Sequence, residues 1–258
     1  MLIDSTLIAD LEKFKTPEDL IREVFTRFGK RAAIGTSGQL TGTVMIDMAV
    51  RSGIKNPRIF TIDTLRLFPE TYELFAALEK KYKIKVEHIQ PNTAKVEAMT
   101  KEHGEYLFFD SKKKQELCCY LRKVEPNERA LETVDVWLTG LRADQSKSRA
   151  KTSRFELIKH GPGHEKDQRP ILKIAPLVDW TEESLRDYSQ KHDVPVHKLL
   201  NWKQDGWYYE SLGCVICTTP IGPDEPRRAG RWRWFNNLPA ESDDDKECGI
   251  HQVKKDEI

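Results

Sequence analysis

The 258-residue chain has no apolar run approaching the roughly 20 residues that cross a membrane. Its opening, Met1-Leu-Ile-Asp-Ser-Thr-Leu-Ile-Ala-Asp10, carries acids where a signal or transit peptide needs a basic start. There is no charge surplus either: the net charge is +1 with histidines neutral, so the bulk electrostatics announce neither a nucleic-acid binder nor a membrane-surface protein. No internal repeat or low-complexity segment is visible. These absences leave a cytoplasmic chain long enough to bury a sizeable core, with one α/β domain over residues 1–239 and a tail over residues 240–258. In a reducing compartment its five cysteines read as ligands and a nucleophile rather than a disulfide framework.

What is present alternates between strand and helix. Thr16-Pro17-Glu18-Asp19 starts a helix, with Thr as N-cap, Pro in the first turn and acids at the positive end of the dipole; the helix runs to near Gly29. Strands are predicted over residues 31–36, 58–63, 84–89 and 134–139, and helices over 43–51, 70–82 and 92–103. Residues 111–124 read as a further helix, residues 155–174 as a β-hairpin around His160-Gly-Pro-Gly-His164, and Thr181 caps a helix running to about Lys191. Such alternation implies a parallel sheet covered on both faces by helices, with ligands at the carboxyl ends of the strands.

Two loops at those ends carry chemistry. Thr36-Ser37-Gly38-Gln39-Leu40-Thr41-Gly42 offers hydroxyls, two glycines and a helix N-terminus, which can cradle phosphate through backbone N–H groups. It is not a Walker A loop, because no Gly-Lys-Ser/Thr follows, and by itself it equally suits an ordinary strand-to-helix turn. After the fourth strand come Arg142, Lys147, Arg149, Lys151 and Arg154, which read alone are a solvated basic loop. Together the two loops favour a nucleotide.

Four of the cysteines form a split set, Cys118-Cys119 and Cys214-Val-Ile-Cys217. Buried core thiols, zinc and an iron–sulfur cluster are the possible readings. Adjacent residues point about 100° apart on a helix, which is awkward for one small ion and suits a cube with irons at separate corners. A [4Fe–4S] cluster is therefore favoured over zinc. Cys248 stands apart in Glu247-Cys-Gly-Ile-His251, where a structural cysteine has little to pack against and reactivity is its expected use. Asp243, Asp244, Asp245 and Glu247 disfavour its thiolate, whereas docking near Arg227, Arg228 and Arg231 would favour it.

The chain resembles the assimilatory adenylyl-sulfate and phosphoadenylyl-sulfate reductases in seven motifs occurring in one order. They are Ile62-Asp-Thr-Leu-Arg-Leu-Phe-Pro-Glu-Thr71, Cys118-Cys-Tyr-Leu-Arg-Lys-Val-Glu-Pro126, Thr139-Gly-Leu-Arg-Ala-Asp-Gln-Ser146, Pro176-Leu-Val-Asp-Trp-Thr181, Gly213-Cys-Val-Ile-Cys-Thr218, Arg228-Ala-Gly-Arg-Trp232 and Glu247-Cys-Gly-Ile-His251. The cysteine set is similar to that of the cluster-containing branch, which mostly uses adenosine 5′-phosphosulfate. The resemblance implies an adenine nucleotide alpha hydrolase-like, Rossmann-like three-layer α/β fold with a flexible tail. It implies Cys248 as the nucleophile toward the sulfate sulfur, an S-sulfocysteine intermediate, and thioredoxin or a similar dithiol as reductant. Lys123 would lie between cluster and sulfate, and Arg142, Arg149, Arg231 and His251 would neutralise sulfate and phosphate oxygens. Asp63, Leu65 and Arg66 would frame the adenosine. A homo-oligomer is compatible with the family; nucleic acid and membrane are not expected partners.

The sequence departs from the family in two places. The phosphate loop usually reads Ser-x-Gly-x-Glu/Asp, and Leu65 stands where Gly is common. Both border the nucleotide, so they bear on the 3′-position preference. Two competing functions are an ATP pyrophosphatase-type tRNA thiolation enzyme, which the missing Ser-Gly-Gly-x-Asp-Ser loop opposes, and a zinc-stabilised module presenting Arg227 to Arg233 with Trp232 and Trp234 to nucleic acid.

Overall fold

Alternation of side chains along four short strands builds the centre of the molecule. A computed structural model describes residues 2–146, 149–161, 168–235 and 250. Strands β1 (Ala32–Gly35), β2 (Ile59–Ile62), β3 (Val86–Ile89), β4 (Val136–Thr139), β5 (Phe155–His160) and β6 (Arg169–Ile174) form one sheet in the order β3-β2-β1-β4-β6-β5. All neighbours are parallel except β5 and β6, which form the expected hairpin as an antiparallel edge, so the sheet is mostly rather than wholly parallel. The hairpin's turn, 162–167, lies outside the described residues. Ala32, Ile34, Ile59, Val136, Leu138, Leu172 and Ile174 face the larger core, whereas Ala33, Phe60, Trp137 and Ile171 face the smaller one. Both faces are apolar because both are covered.

The larger core is closed by α2 (Pro17–Phe28), α3 (Leu40–Arg51), α4 (Pro69–Tyr82) and α8 (Glu182–Lys191), with Thr16 and Thr181 as the caps read from sequence. A shorter helix, α1 (Ser5–Leu11), precedes them, and sequence reading missed it. Its N-cap is Asp4, whose Oδ1 accepts from the N–H of Thr6 at 3.0 Å and of Leu7 at 3.1 Å, so an acid first noted as unlike a targeting signal has a capping role. α3 also begins three residues before the expected Thr43, taking Thr41 and Gly42 into its first turn.

On the smaller face, α5 (Thr93–His103) is followed by an almost unbroken helical stretch: α6 (Lys112–Cys119), a π-turn at Tyr120–Val124, and α7 (Glu125–Leu131). The sequence implied a regular helix to Val124. A π-turn carries one extra residue per turn and so changes which face the following side chains occupy, and such turns are frequent at functional sites. Here it falls between Cys118-Cys119 and the end of the Cys-Cys motif. No helix among the described residues is long and apolar enough to cross a membrane.

Candidate active site

In a sheet of this order the chain leaves β1 toward β2 on one side and reaches β4 on the other, so the crevice at the carboxyl ends of β1 and β4 is the switch point where ligands bind. A cavity of about 230 Å³ opens there. Both loops singled out from the sequence line it: Thr36, Ser37, Gln39, Thr41 and Gly42 from the first, Arg142 and Arg149 from the second. Lys123 and Arg231 also line it, as does Ile250.

Close approach dictates the first loop's composition. The Thr36 hydroxyl accepts from the Gly38 N–H at 3.1 Å, and a Cβ on Gly42 would stand 2.0 Å from the same oxygen. Gly42→Ala therefore has to displace Thr36. The expected result is a loss of about 1–3 kcal/mol in a urea melt, together with weaker nucleotide binding. Unchanged stability and affinity would mean that the loop repacks freely. Gly38, with φ of 74°, is not in the cavity's lining, and a Cβ on it would meet Leu74, Phe75 and Thr71.

The arginines of the second loop also have partners within the protein. Arg142 is buried, and its guanidinium is already engaged: with Asp144 at 2.9 and 3.2 Å, with Glu182 at 3.0 Å, and with the Thr41 hydroxyl at 2.7 Å. It braces the start of α3 against α8, with its charge met by two carboxylates. Arg149 donates to Gln145 Oε1 beside it. Arg227 is paired with Glu210 and donates to the Asp144 carbonyl at 3.0 Å.

Arg231 is held differently. Its Nη1 donates to the Leu212 carbonyl at 3.2 Å and Ser211 Oγ at 3.3 Å, and its guanidinium lies 4.9 Å from the Trp232 ring centroid. A Cβ on Gly213 would fall 2.3 Å from Nη2, so glycine is needed for this cation to lie where it does. Nε has no hydrogen-bond partner among the described residues. Trp232 is buried and Trp234 half-buried against Phe108 and Phe109, so these rings are core rather than a stacking surface for nucleic acid.

Behind Lys123, Thr64 and Gly213 lie the four cysteines, all buried. Cys119, Cys214 and Cys217 pack with Trp232 and Phe235, whereas Cys118 faces Met99, Leu107 and Phe108; Ile216 and Trp234 touch both groups. Burial pushes the Cys118 thiol up, and burial reinforced by the neighbouring Cys214 pushes Cys217 up to about 11. Cys214 is the exception. Burial raises it too, but Lys123, a hydrogen bond with the Thr64 hydroxyl at 3.2 Å, Arg231 and Arg122 together bring it below the ordinary thiol value. The Arg122 side chain donates to the Thr64 carbonyl at 2.9 Å, and burial lowers its own pKa. Four thiols with converging cations form a donor set whose negative charge would be met on binding a metal group. Among the described residues no three His, Cys, Asp or Glu side chains are grouped as a single metal ion would require.

The residues expected to frame the adenosine flank one that lines the cavity. Asp63, Leu65 and Arg66 are absent from its lining, and only the intervening Thr64 contributes. Asp63 is buried and accepts from the Leu65 N–H at 2.9 Å, Tyr72 Oη at 2.7 Å and Gln90 Nε2 at 3.2 Å, an Asx turn that holds Leu65 at φ 60°. Arg66 lies over Phe108 and contacts Glu105. These residues shape the loop that carries Thr64 into the cavity wall. Cys248 and His251 lie outside the described residues, but Ile250, between them in sequence, packs against the Ala33, Phe60 and Trp137 group as well as lining the cavity. Sequence reading missed Thr71, Asn127, Glu182 and Glu210 as cavity residues. The signal for Thr71 was available, since it sits in the first turn of a helix that follows a strand's carboxyl end.

Residues 31–220 match the phosphoadenosine phosphosulfate reductase domain family. The chain is 39% identical over 190 residues to an adenosine 5′-phosphosulfate reductase of Rhizobium tropici, covering 74% of this chain and 95% of that one. It is 32% identical over 237 residues to the enzyme of that name from Pseudomonas aeruginosa strain LESB58, covering 92% and 82%. Among solved structures, the phosphate complex of phosphoadenylyl-sulfate reductase from Candida auris aligns with a TM-score of 0.65 at 26% identity, over 86% of this chain and 99% of that one. FMN adenylyltransferase from Candida glabrata shares the fold, with a TM-score of 0.53 at 13% identity over 85% of this chain and 69% of that one.

Proposed function

The chain belongs to the phosphoadenosine phosphosulfate reductase family, and on that premise we propose that it reduces adenosine 5′-phosphosulfate to sulfite and AMP in cytoplasmic sulfate assimilation. The observation that carries the proposal is the cavity at the β1–β4 crevice, where a phosphate-suited helix start shares walls with Lys123 and Arg231, the cations that also act on the buried cysteines. Arg142 and Arg227 are already paired with Asp144, Glu182 and Glu210. Lys123, Arg149, Arg228 and Arg231 line the cavity with them, and the similarity to adenosine 5′-phosphosulfate reductases favours the nucleotide without a 3′-phosphate.

In this reading the Cys248 thiolate attacks the sulfate sulfur. A sulfur–sulfur bond forms, the bond to the bridging oxygen breaks, and AMP leaves with that electron pair. Lys123, Arg149, Arg231 and His251 meet the negative charge that grows on the leaving phosphate. A thiolate of thioredoxin, or of a similar dithiol, then attacks the Cys248 sulfur and expels sulfite. Its second thiol resolves the mixed disulfide, so the dithiol supplies both electrons and Cys248 returns to thiol. Ile250 at the cavity supports this role for Cys248, two residues earlier in sequence.

Cys118, Cys119, Cys214 and Cys217 would hold a [4Fe–4S] cluster. The support is chemical: four buried soft donors, a neighbouring pair that faces two different side-chain groups, and Lys123, Arg122, Arg66 and Arg231 within electrostatic reach. Such a cluster would supply a charged, rigid wall behind the sulfate.

The test is sulfite release from adenosine 5′-phosphosulfate and from its 3′-phosphorylated form, each with thioredoxin. The expected result is sulfite and AMP from the first, at least about tenfold faster at equal subsaturating concentration. Preference for the second would reassign the substrate, and sulfite from neither would remove the proposal.

A further inference from the structure

A buried histidine meets the hydroxyl of a threonine that lines the cavity. His197 is 1% exposed and sits at the start of the short 3-10 turn Lys198–Asn201. Its Nδ1 accepts from the Leu199 backbone N–H at 3.2 Å. A backbone N–H can only donate, so Nδ1 carries no proton, and in the neutral ring the proton is on Nε2. Nε2 lies 2.9 Å from Thr71 Oγ1, 126 residues away in sequence, and must be the donor of that bond. Thr71 therefore accepts from His197, and its own hydroxyl proton has no acceptor among the described residues. Burial holds the His197 pKa below its ordinary value, against the opposing pull of Glu70 and Glu73, which keeps the ring neutral.

Thr71 is in the first turn of α4 and lines the cavity. Its methyl carbon lies 3.5 Å from where a Cβ on Gly38 would stand, which ties it to the loop after β1. Leu40, Leu200 and Leu212 line the same cavity and belong to the main core cluster with the side chains around α4. A neutral donor beside apolar side chains suits a neutral acceptor, since the anionic groups have cations to meet them.

Resting on the reading of this cavity as an adenine-nucleotide site, we infer that Thr71 is a substrate-binding residue whose hydroxyl, oriented by His197, donates a hydrogen bond to the adenosine half of the nucleotide. His197 is then a positioning residue, acting only through Thr71.

The experiment measures AMP affinity by calorimetry for the full chain and for Thr71→Val and Thr71→Ser, together with the ring-nitrogen resonances of His197. Thr71→Val keeps shape and removes the donor, and is expected to weaken AMP binding about five- to tenfold, as one lost hydrogen bond does, and to raise KM with little change in kcat. Thr71→Ser restores the donor and is expected to bind within about twofold of wild type, which separates the hydroxyl from general damage to the fold. The His197 resonances are expected to report a proton on Nε2 and none on Nδ1 at pH 7. Unchanged affinity in Thr71→Val, or a proton on Nδ1, overturns the inference. Wild type that binds AMP but releases no sulfite removes the reductase proposal alone; wild type that does not bind AMP overturns both.

Discussion

Cys248→Ser is expected to lower sulfite release by about 10⁴-fold, because a hydroxyl at neutral pH is a far weaker nucleophile than a thiol and the sulfite-releasing step needs a sulfur to attack. The second reason makes the loss severe. Even if serine formed a sulfate ester, a dithiol could not attack oxygen to make a mixed disulfide, so no sulfite would leave. AMP affinity should stay within about twofold of wild type, since the cations and hydroxyls lining the cavity are untouched and one missing sulfur atom is a small change beside them. Mass spectrometry of the wild type incubated with adenosine 5′-phosphosulfate, with no reductant, should place a sulfonate on Cys248. Sulfite release by the variant above about one-hundredth of wild type, with a sulfonate elsewhere, would reassign the nucleophile.

Cys214→Ser should act on the other sulfur chemistry. The Cys214 thiol lies below its ordinary pKa despite full burial, unlike those of Cys118 and Cys217, because Lys123, Thr64, Arg231 and Arg122 favour its charged form. Replacing it removes a soft donor and leaves those cations facing an oxygen that does not ionise. If the four cysteines hold a cluster, iron and inorganic sulfide measured on anaerobically purified protein should fall from about four of each per chain to near zero. Absorbance near 400 nm (about the usual band of such a group) should be lost with them. Unfolding in urea should shift by about 3–5 kcal/mol, the cost of leaving buried charge uncompensated. Retention of wild-type iron and sulfide would sink this ligand assignment. A colourless wild type containing zinc would replace the cluster itself.

These two predictions depend on residues the sequence exposed with different clarity. The cysteine pairs are local patterns, so a set of four and a fifth cysteine apart from it are visible in spacing alone. The strands and the caps at Thr16 and Thr181 were equally legible, because alternation, Pro at a helix start and a capping hydroxyl are properties of neighbouring residues. The helix at Ser5–Leu11 was not, since seven residues hold too little periodicity to stand out. The π-turn at Tyr120–Val124 was hidden for a related reason: it differs from an α-helix in the partner of a backbone N–H, which side-chain pattern does not record.

For the site, the sequence by itself determined which chemical groups the chain brings: a hydroxyl-rich helix start, a basic loop, four paired thiols and one apart. Tertiary structure decided which of them are available. Arg142 and Arg149 follow the same strand and look alike in sequence, yet Arg142 is met by Asp144, Glu182 and Thr41, a set gathered from three segments, whereas Arg149 donates to Gln145 four residues earlier. Asp63 and Thr64 are adjacent, yet the carboxylate is spent on its own loop and Tyr72 while Thr64 faces both Cys214 and the cavity. Thr71 gains its role only through His197, in a different segment of the chain. The physical reason is that packing sets which donors and acceptors of a polar side chain are already used. In a sheet ordered β3-β2-β1-β4-β6-β5 some of the groups that use them, Glu182 at Arg142 and His197 at Thr71, come from far along the chain.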